Sequence, residues 1–304
     1  LTIASQSDIS TVDPALSYDG ASSMIVYQIA ETLLQYDYFS DQLLLKPLLA
    51  ASMPLISADK KNITFKIKPN VKYHPDPCFK DKDRFVKSSD FVTQLKRLAY
   101  IPIRSTGEWL FEGKIKGFNE FRKLAGNDYE KFKNLNISGV KTLDDLTLSI
   151  ELEIPFPQLQ YAFAMSFTSP IPMELVECYS NDFSQKLIST GPYILKGYTP
   201  THSIVLARNP EYHEKHDNIQ LPYLESIHIQ IIKESQTRWL NFISGKLDIL
   251  SVDSDHFDLV FDSKMTLRPE LSQQNITIKQ NPAESGRKKN RQNKNGSLPI
   301  MADI

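Results

Sequence analysis

Apolar and polar residues alternate cleanly in three stretches, and a period of two marks a half-buried strand. "NITFKIKP" puts Ile63, Phe65 and Ile67 on one face and Thr64, Lys66 and Lys68 on the other. "DLTLSIELE" does the same with Leu146, Leu148, Ile150 and Leu152, and "SIHIQIIK" with Ile227, Ile229 and Ile231. Elsewhere the period is helical. "KSSDFVTQLKRLAY" carries an inner stripe of Phe91, Leu95 and Leu98 behind a cap at Ser88 or Ser89. "SSMIVYQIAETLLQY" spaces Ile25, Ile29, Thr32 and Leu33 along one helix capped by Ser22 or Ser23. "SQTRWLNFISGKLDIL" reads as a helix with Trp239 in the core, a stop at Gly245, then a strand. "LTIAS" opens the chain as a strand, and an irregular loop follows with Asp13-Pro14 as its turn. Together these predict a mixed α/β chain without a regular β-α-β rhythm or an internal repeat.

The 304 residues are 41% hydrophobic, enough for a large core and about two domains. Lys and Arg number 35 against 36 Asp and Glu, a balance that argues against a general polyanion binder. The charge is uneven: residues 283–304 hold Arg287, Lys288, Lys289, Arg291 and Lys294 against Glu284 and Asp303. Residues 285–297 hold no apolar residue to anchor them, so a disordered, solvated basic tail is predicted. It has no interleaved aromatics for stacking on bases, and no nucleic-acid partner is expected. No apolar run approaches the ~18 residues of a membrane span. Cys78 and Cys178 lie far apart in sequence; one disulfide and two buried thiols both remain open.

Catalytic and cofactor signatures are missing: there is no G-x-G-x-x-G, P-loop, G-x-S-x-G or H-E-x-x-H. No cofactor and no enzyme activity are expected. His213 and His216 form an H-x-x-H near Glu211, Glu214 and Asp217, but two ligands from one loop do not fix a metal, and a polar surface turn after Pro210 is the plainer reading. Asp144-Asp145 sits in the turn before a strand, where Asp supplies local hydrogen bonds. Trp109, in "STGEWLFEG", lies in a loop-like region and is a candidate for lining a ligand cleft, with local packing as the competing reading.

"STGPYILKGYTPTHSIVLARNPEYH" has the shape of no active site. Its Thr190-Gly191-Pro192-Tyr193-Ile194-Leu195, then Pro200 to Leu206, then Arg208-Asn209-Pro210-Glu211-Tyr212 resemble the signature of the family 5 extracellular solute-binding proteins, the oligopeptide- and dipeptide-binding proteins of bacterial ABC importers. Six further segments resemble that family in its order: "STVDPALSYD", "QIAETLLQYD", "KPLLAASMPLISADKKNITFKIKPNVKYH", "RFVKSSDFVTQLKRLA", "ISGVKTLDDLTLSIELEIPFP" and "ISGKLDI". The chain departs where Thr32 replaces a Gly and where His213 replaces an aromatic. Physically, Gly191-Pro192 forces a turn into a strand, and Pro210 ends its partner because proline cannot donate to a ladder.

The resemblance implies a periplasmic-binding-protein-like α/β fold of the type II, three-domain kind, with mixed sheets and flanking helices. It implies residues 1–47 as the first part of domain I, 48–165 as an inserted domain II and 166–268 as the second part of domain I. Residues 269–282 would lead into domain III and 283–304 form the tail. Family members run to roughly 500 residues, beyond a single core, so the second lobe is expected to be largely missing and the chain a truncated, frameshifted or cut product. The implied function is capture of oligopeptides or dipeptides between two lobes, for delivery to an ABC permease, by a monomer exported to the periplasm or anchored as a cell-surface lipoprotein. Tyr18, Asp19 and Gly20, after the Asp13-Pro14 turn, align with a segment that lies against the bound peptide, and Trp109 lies near another ligand-facing region. The alternatives are the sensor domain of a transcriptional regulator with the same fold and a hydrolase using His213 or His216.

Overall fold

The computed structural model describes residues 1–37, 40, 42–180, 182–257, 260 and 298–300. Their first half forms β1 (Thr2–Ser5), α1 (Gly20–Ile29), β2 (Leu34–Tyr36), β3 (Leu45–Pro47), β4 (Leu55–Ile56), β5 (Asn62–Lys66) and α2 (Ser88–Ala99). Next come α3 (Phe118–Ala125), α4 (Tyr129–Asn134), β6 (Val140–Asp144), β7 (Thr147–Glu151) and α5 (Met173–Tyr179). The remainder is β8 (Tyr193–Thr199), β9 (Ser203–Arg208), β10 (Lys215–His216), β11 (Ile219–Gln220), β12 (Ser226–Ile231), α6 (Ser235–Ile243), β13 (Leu250–Val252) and β14 (Leu298–Ile300). The described residues fall into two compact units, one within Leu1–Asp8, Thr199–Val205 and Ser226–Ile304, the other within Ile9–Tyr198 and Leu206–Glu225. No helix among the described residues is long and apolar enough to cross a membrane.

The larger unit contains an antiparallel sheet in the order β4-β5-β7-β6. Its register sets Ile63 opposite Ile150 and Phe65 opposite Leu148, so the apolar alternation of both strands faces one side, and all four are fully buried. Each such side chain contributes about 1.5–3 kcal/mol by burial, and Phe65→Ala would cost about 3–5 kcal/mol. Helix α2 packs on β6 and β7 with Phe91, Leu95 and Leu98 inward, as predicted. Its cap position is Lys87 rather than Ser88 or Ser89: Asp90 Oδ2 accepts the Lys87 N–H at 2.9 Å, and the Ser88 hydroxyl is committed to the Asp144 carbonyl at 2.6 Å. Asp144 accepts from the Leu146 N–H and the Thr147 hydroxyl at 2.8 and 2.7 Å, the local turn bonds expected of it.

The predicted helix over 22–36 is corrected at both ends. Asp19, not Ser22 or Ser23, caps α1, accepting the Ser22 N–H at 2.8 Å. The helix stops at Ile29 because its next carbonyl is claimed from outside: the Gly191 N–H donates to Ile29 O at 2.9 Å. Thr32 to Tyr36 then pair with 45–50, through β2–β3 and the bonds from Leu48 and Ala50 N–H to Leu33 O and from Leu49 N–H to Thr32 O. A Cβ at residue 191 would stand 2.5 Å from the Ile29 oxygen, so only glycine permits this approach.

Cys78 and Cys178 form a disulfide, which resolves the choice the sequence left open. It fastens the turn Pro77–Phe79 to α5 across 100 residues of chain, a closure worth roughly 2–5 kcal/mol. Beside it the Tyr179 hydroxyl donates to Asp76 at 2.8 and 2.9 Å.

In the smaller unit β1 pairs in parallel with β12, Thr2 opposite His228 through Ser5 opposite Ile231, and the Asp248 N–H donates to Thr2 O. Glu234 caps α6 by accepting the Thr237 N–H at 2.7 Å, and Gly245, at φ +74°, follows its end as the stop the sequence predicted. Trp239 is buried against His256, ring to ring at 4.8 Å. The tail expected to be disordered over 283–304 is corrected at Leu298–Ile300, which form a strand antiparallel to β13; its remaining residues, 283–297 and 301–304, lie outside the described residues, as do 269–282.

Candidate functional site

The loop after β1 is built on a buried ion pair. Arg97, from the inner end of α2, donates to both oxygens of Asp13 at 3.1 and 2.7 Å, and neither side chain reaches solvent. The Asp13 carbonyl accepts the N–H groups of Leu16 and Ser17, and its carboxylate accepts that of Ala15 at 2.9 Å. The Asp-Pro turn is thereby locked, and the chain emerges at Tyr18, which is 64% exposed.

The carbonyls of that loop hold a second loop. Ser105 Oγ donates to Ala15 O at 2.8 Å and Thr106 Oγ1 to Leu16 O at 3.3 Å. Gly107 follows, then the turn Glu108–Leu110 carrying Trp109, which is 54% exposed. Phe167 lies beneath both loops: its ring centroid is 6.4 Å from that of Tyr18, and a Cβ on Gly107 would stand 2.5 Å from its ring. Tyr18 and Trp109, predicted separately, thus sit on two hydrogen-bonded loops. Asp19 behaves differently. One oxygen caps α1 and the other accepts from Ser10 Oγ at 2.9 Å. Partial burial pushes its carboxyl up, but the hydrogen bonds from Ser22 and Ser10 outweigh that and hold the pKa below its usual value. Gly20 begins α1 with open space around its Cα. The residues that sequence reasoning missed here are Ser105, Thr106 and Phe167; no periodicity marks a hydroxyl that bonds a carbonyl about 90 residues away.

The "TGPY…RNPEYH" segment converges on another buried carboxylate, Glu31. It accepts from Thr190 Oγ1 at 2.7 Å, from the Tyr212 hydroxyl at 3.0 Å and from His213 Nε2–H at 2.9 and 3.1 Å. Burial, then the neighbouring Glu31 charge, push the Tyr212 phenol well above its usual range, so it stays a donor. Asn209 donates its backbone N–H to Pro192 O at 2.8 Å and its side chain to Gly191 O at 3.0 Å. Buried His74 donates Nε2–H to the same Gly191 carbonyl at 2.9 Å; burial lowers its pKa to about 4 and keeps it neutral. The framing residues of the segment therefore serve architecture. His213 is spent on Glu31, His216 is exposed, and among the described residues no group of three or more His, Cys, Asp or Glu is placed to hold a metal.

Comparison with known proteins fits this convergence. The family described as bacterial extracellular solute-binding proteins, family 5 Middle, matches residues 45–292. The oligopeptide-binding protein AmiA of Streptococcus pneumoniae is 27% identical over 249 residues, 78% of this chain and 34% of its own length. The periplasmic oligopeptide-binding protein OppA of Salmonella typhimurium is 28% identical over 196 residues, 63% of this chain and 32% of its own. Among solved structures, peptide-bound OppA of Listeria monocytogenes superposes with a TM-score of 0.71 at 23% identity, over 87% of this chain and 48% of that one. The pheromone receptor PrgZ gives 0.71 at 21%, over 86% and 48%. The chain thus spans about a third of the curated relatives it matches, and the periplasmic-binding-protein-like α/β fold expected from the sequence is the one found.

Proposed function

Because the chain belongs to the bacterial extracellular solute-binding proteins of family 5, we propose that it serves as the solute-capturing component of an ABC importer for oligopeptides or dipeptides. The observation that carries this reading is the family match over residues 45–292, with relatives whose names give oligopeptides as their ligand. Delivery would be to permease subunits in the membrane, from the periplasm or from a lipid-anchored position on the cell surface. The antiparallel sheet and helices α2 to α4 lie wholly within 48–165, which supports that stretch as the inserted domain.

The proposed ligand surface is Tyr18 and Trp109. Both are exposed aromatics on two tied loops, and aromatic faces bind apolar side chains at low entropic cost. Asp19 and Gly20 contribute by starting α1 where they do, rather than by a free carboxylate. Contacts to one exposed surface leave most of a peptide in water, so affinity for these residues alone is expected to be about millimolar, near 4 kcal/mol. Titration of tri- to pentapeptides, followed by Trp109 emission, is expected to saturate in that range and to lose its signal on Tyr18→Ala. Peptides that leave Trp109 emission unchanged at every concentration would overturn the assignment of the surface.

A further inference from the structure

Tyr18 and Trp109 belong to loops far apart in sequence, and a buried polar chain runs beneath both. Gln94, on α2, is fully buried and bridges two groups. Its Nε2 donates to the Phe167 carbonyl at 2.7 Å, and its Oε1 accepts from Arg97 Nη1 at 3.0 Å. The same Arg97 nitrogen donates to Asp13 Oδ1, which roots the loop of Tyr18. Phe167 in turn carries the ring against which Tyr18 and Gly107 rest. The path closes through Ser105, whose hydroxyl donates to Ala15 O and accepts the Gly107 N–H at 3.1 Å. Side-chain amides that donate and accept at once transmit orientation, because neither bond can be kept if the other group turns.

We propose that Gln94 is a positioning residue for the ligand surface: by holding the Phe167 carbonyl and the Asp13–Arg97 pair together, it fixes the relative placement of Tyr18 and Trp109. This inference rests on the reading of those two aromatics as ligand contacts. It gives a buried glutamine, remote from any ligand, a measurable effect on affinity, since a surface that is already ordered binds without the loss of ordering entropy.

The protein holds two tryptophans, so Trp239→Phe leaves Trp109 as the sole reporter. In that background Gln94→Met keeps the volume and removes both hydrogen bonds. Gln94→Glu keeps the acceptor for Arg97 and sets an oxygen against the Phe167 carbonyl. Both are expected to lower Trp109 anisotropy and to expose it to acrylamide while cooperative unfolding persists. Affinity for the probe peptide Ala-Ala-Phe-Ala-Ala should weaken about tenfold, because the loosened loops must be ordered on binding. The reciprocal Trp109→Phe background reports from Trp239, whose signal should not change; a general loosening would move both. If Gln94→Met fails to fold, Ser105→Ala, which removes one hydroxyl from the same path, should give the same local loosening of Trp109. Unchanged Trp109 anisotropy in the folded Gln94 or Ser105 variants would overturn the proposal. Loosening of Trp109 in a protein whose parent ignores the peptide would instead uphold the positioning role and defeat only the ligand reading.

Discussion

Asp13 meets a guanidinium; Glu31 meets two hydroxyls and an imidazole. Both carboxylates are buried in the same unit, and both organise the segments that carry the family resemblance. Around Asp13 one fixed cation does the compensating, and the result is a two-point lock on a single turn. Around Glu31 the work is divided among Thr190, Tyr212 and His213, which come from two stretches of chain and so draw those stretches together. The difference is physical. A buried ion pair is an all-or-none arrangement, because removing one partner strands a charge. A carboxylate among several donors loses them one at a time, each a modest fraction of the whole.

The largest test of this contrast is Arg97→Met. Leaving Asp13 unpaired should cost about 3–5 kcal/mol, or roughly 10 °C in melting temperature. Adding Asp13→Asn should recover most of the loss, since the stranded charge is then gone. A single variant that melts within a degree or two of the parent would mean the pair is not the lock described.

The second test uses acid against the Glu31 side, where His74 and Asn209 both hold the Gly191 carbonyl. Burial lowers the His74 pKa from 6.5 to about 4. A histidine depressed in the folded state favours its neutral form there. Its contribution is therefore complete above pH 6.5, shrinks as pH falls, and is gone once pH passes below about 4. The total is about 3 kcal/mol. Urea unfolding at pH 7, 5.5 and 4.5 should show this slope, and His74→Gln should flatten it; an identical slope in the variant would assign the acid sensitivity elsewhere.

The smallest effect is expected from Tyr212→Phe. Glu31 keeps Thr190 and His213, so the loss should be about 1–2 kcal/mol. A cost equal to that of Arg97→Met would erase the distinction between the two regions.

Much of this was legible in advance. Ile63, Phe65 and Ile67, or Leu148 and Ile150, announce their strands because alternation is a local consequence of the pleat. The stripe of α2 and the Gly245 stop after α6 are local in the same sense. As a proposed ligand surface, Tyr18 came from resemblance and Trp109 from its place in a loop as well as from resemblance, and their supports were not visible: Phe167, Gln94 and Ser105 show no pattern that separates them from ordinary core and loop residues.

The sequence by itself therefore determined which faces of the regular strands and of α2 are buried, and the family to which the chain belongs. Only the tertiary structure decided what those faces meet. It ended α1 at Ile29, since the competing donor is Gly191, and made Leu34–Tyr36 a strand against Leu45–Pro47. It joined Cys78 to Cys178 and paired Asp13 with Arg97, 84 residues away, and Glu31 with Thr190, 159 residues away. The reason is that periodicity records the environment of a side chain averaged over its own element, whereas a hydrogen bond or ion pair depends on one partner, whose position is set by every residue folded in between.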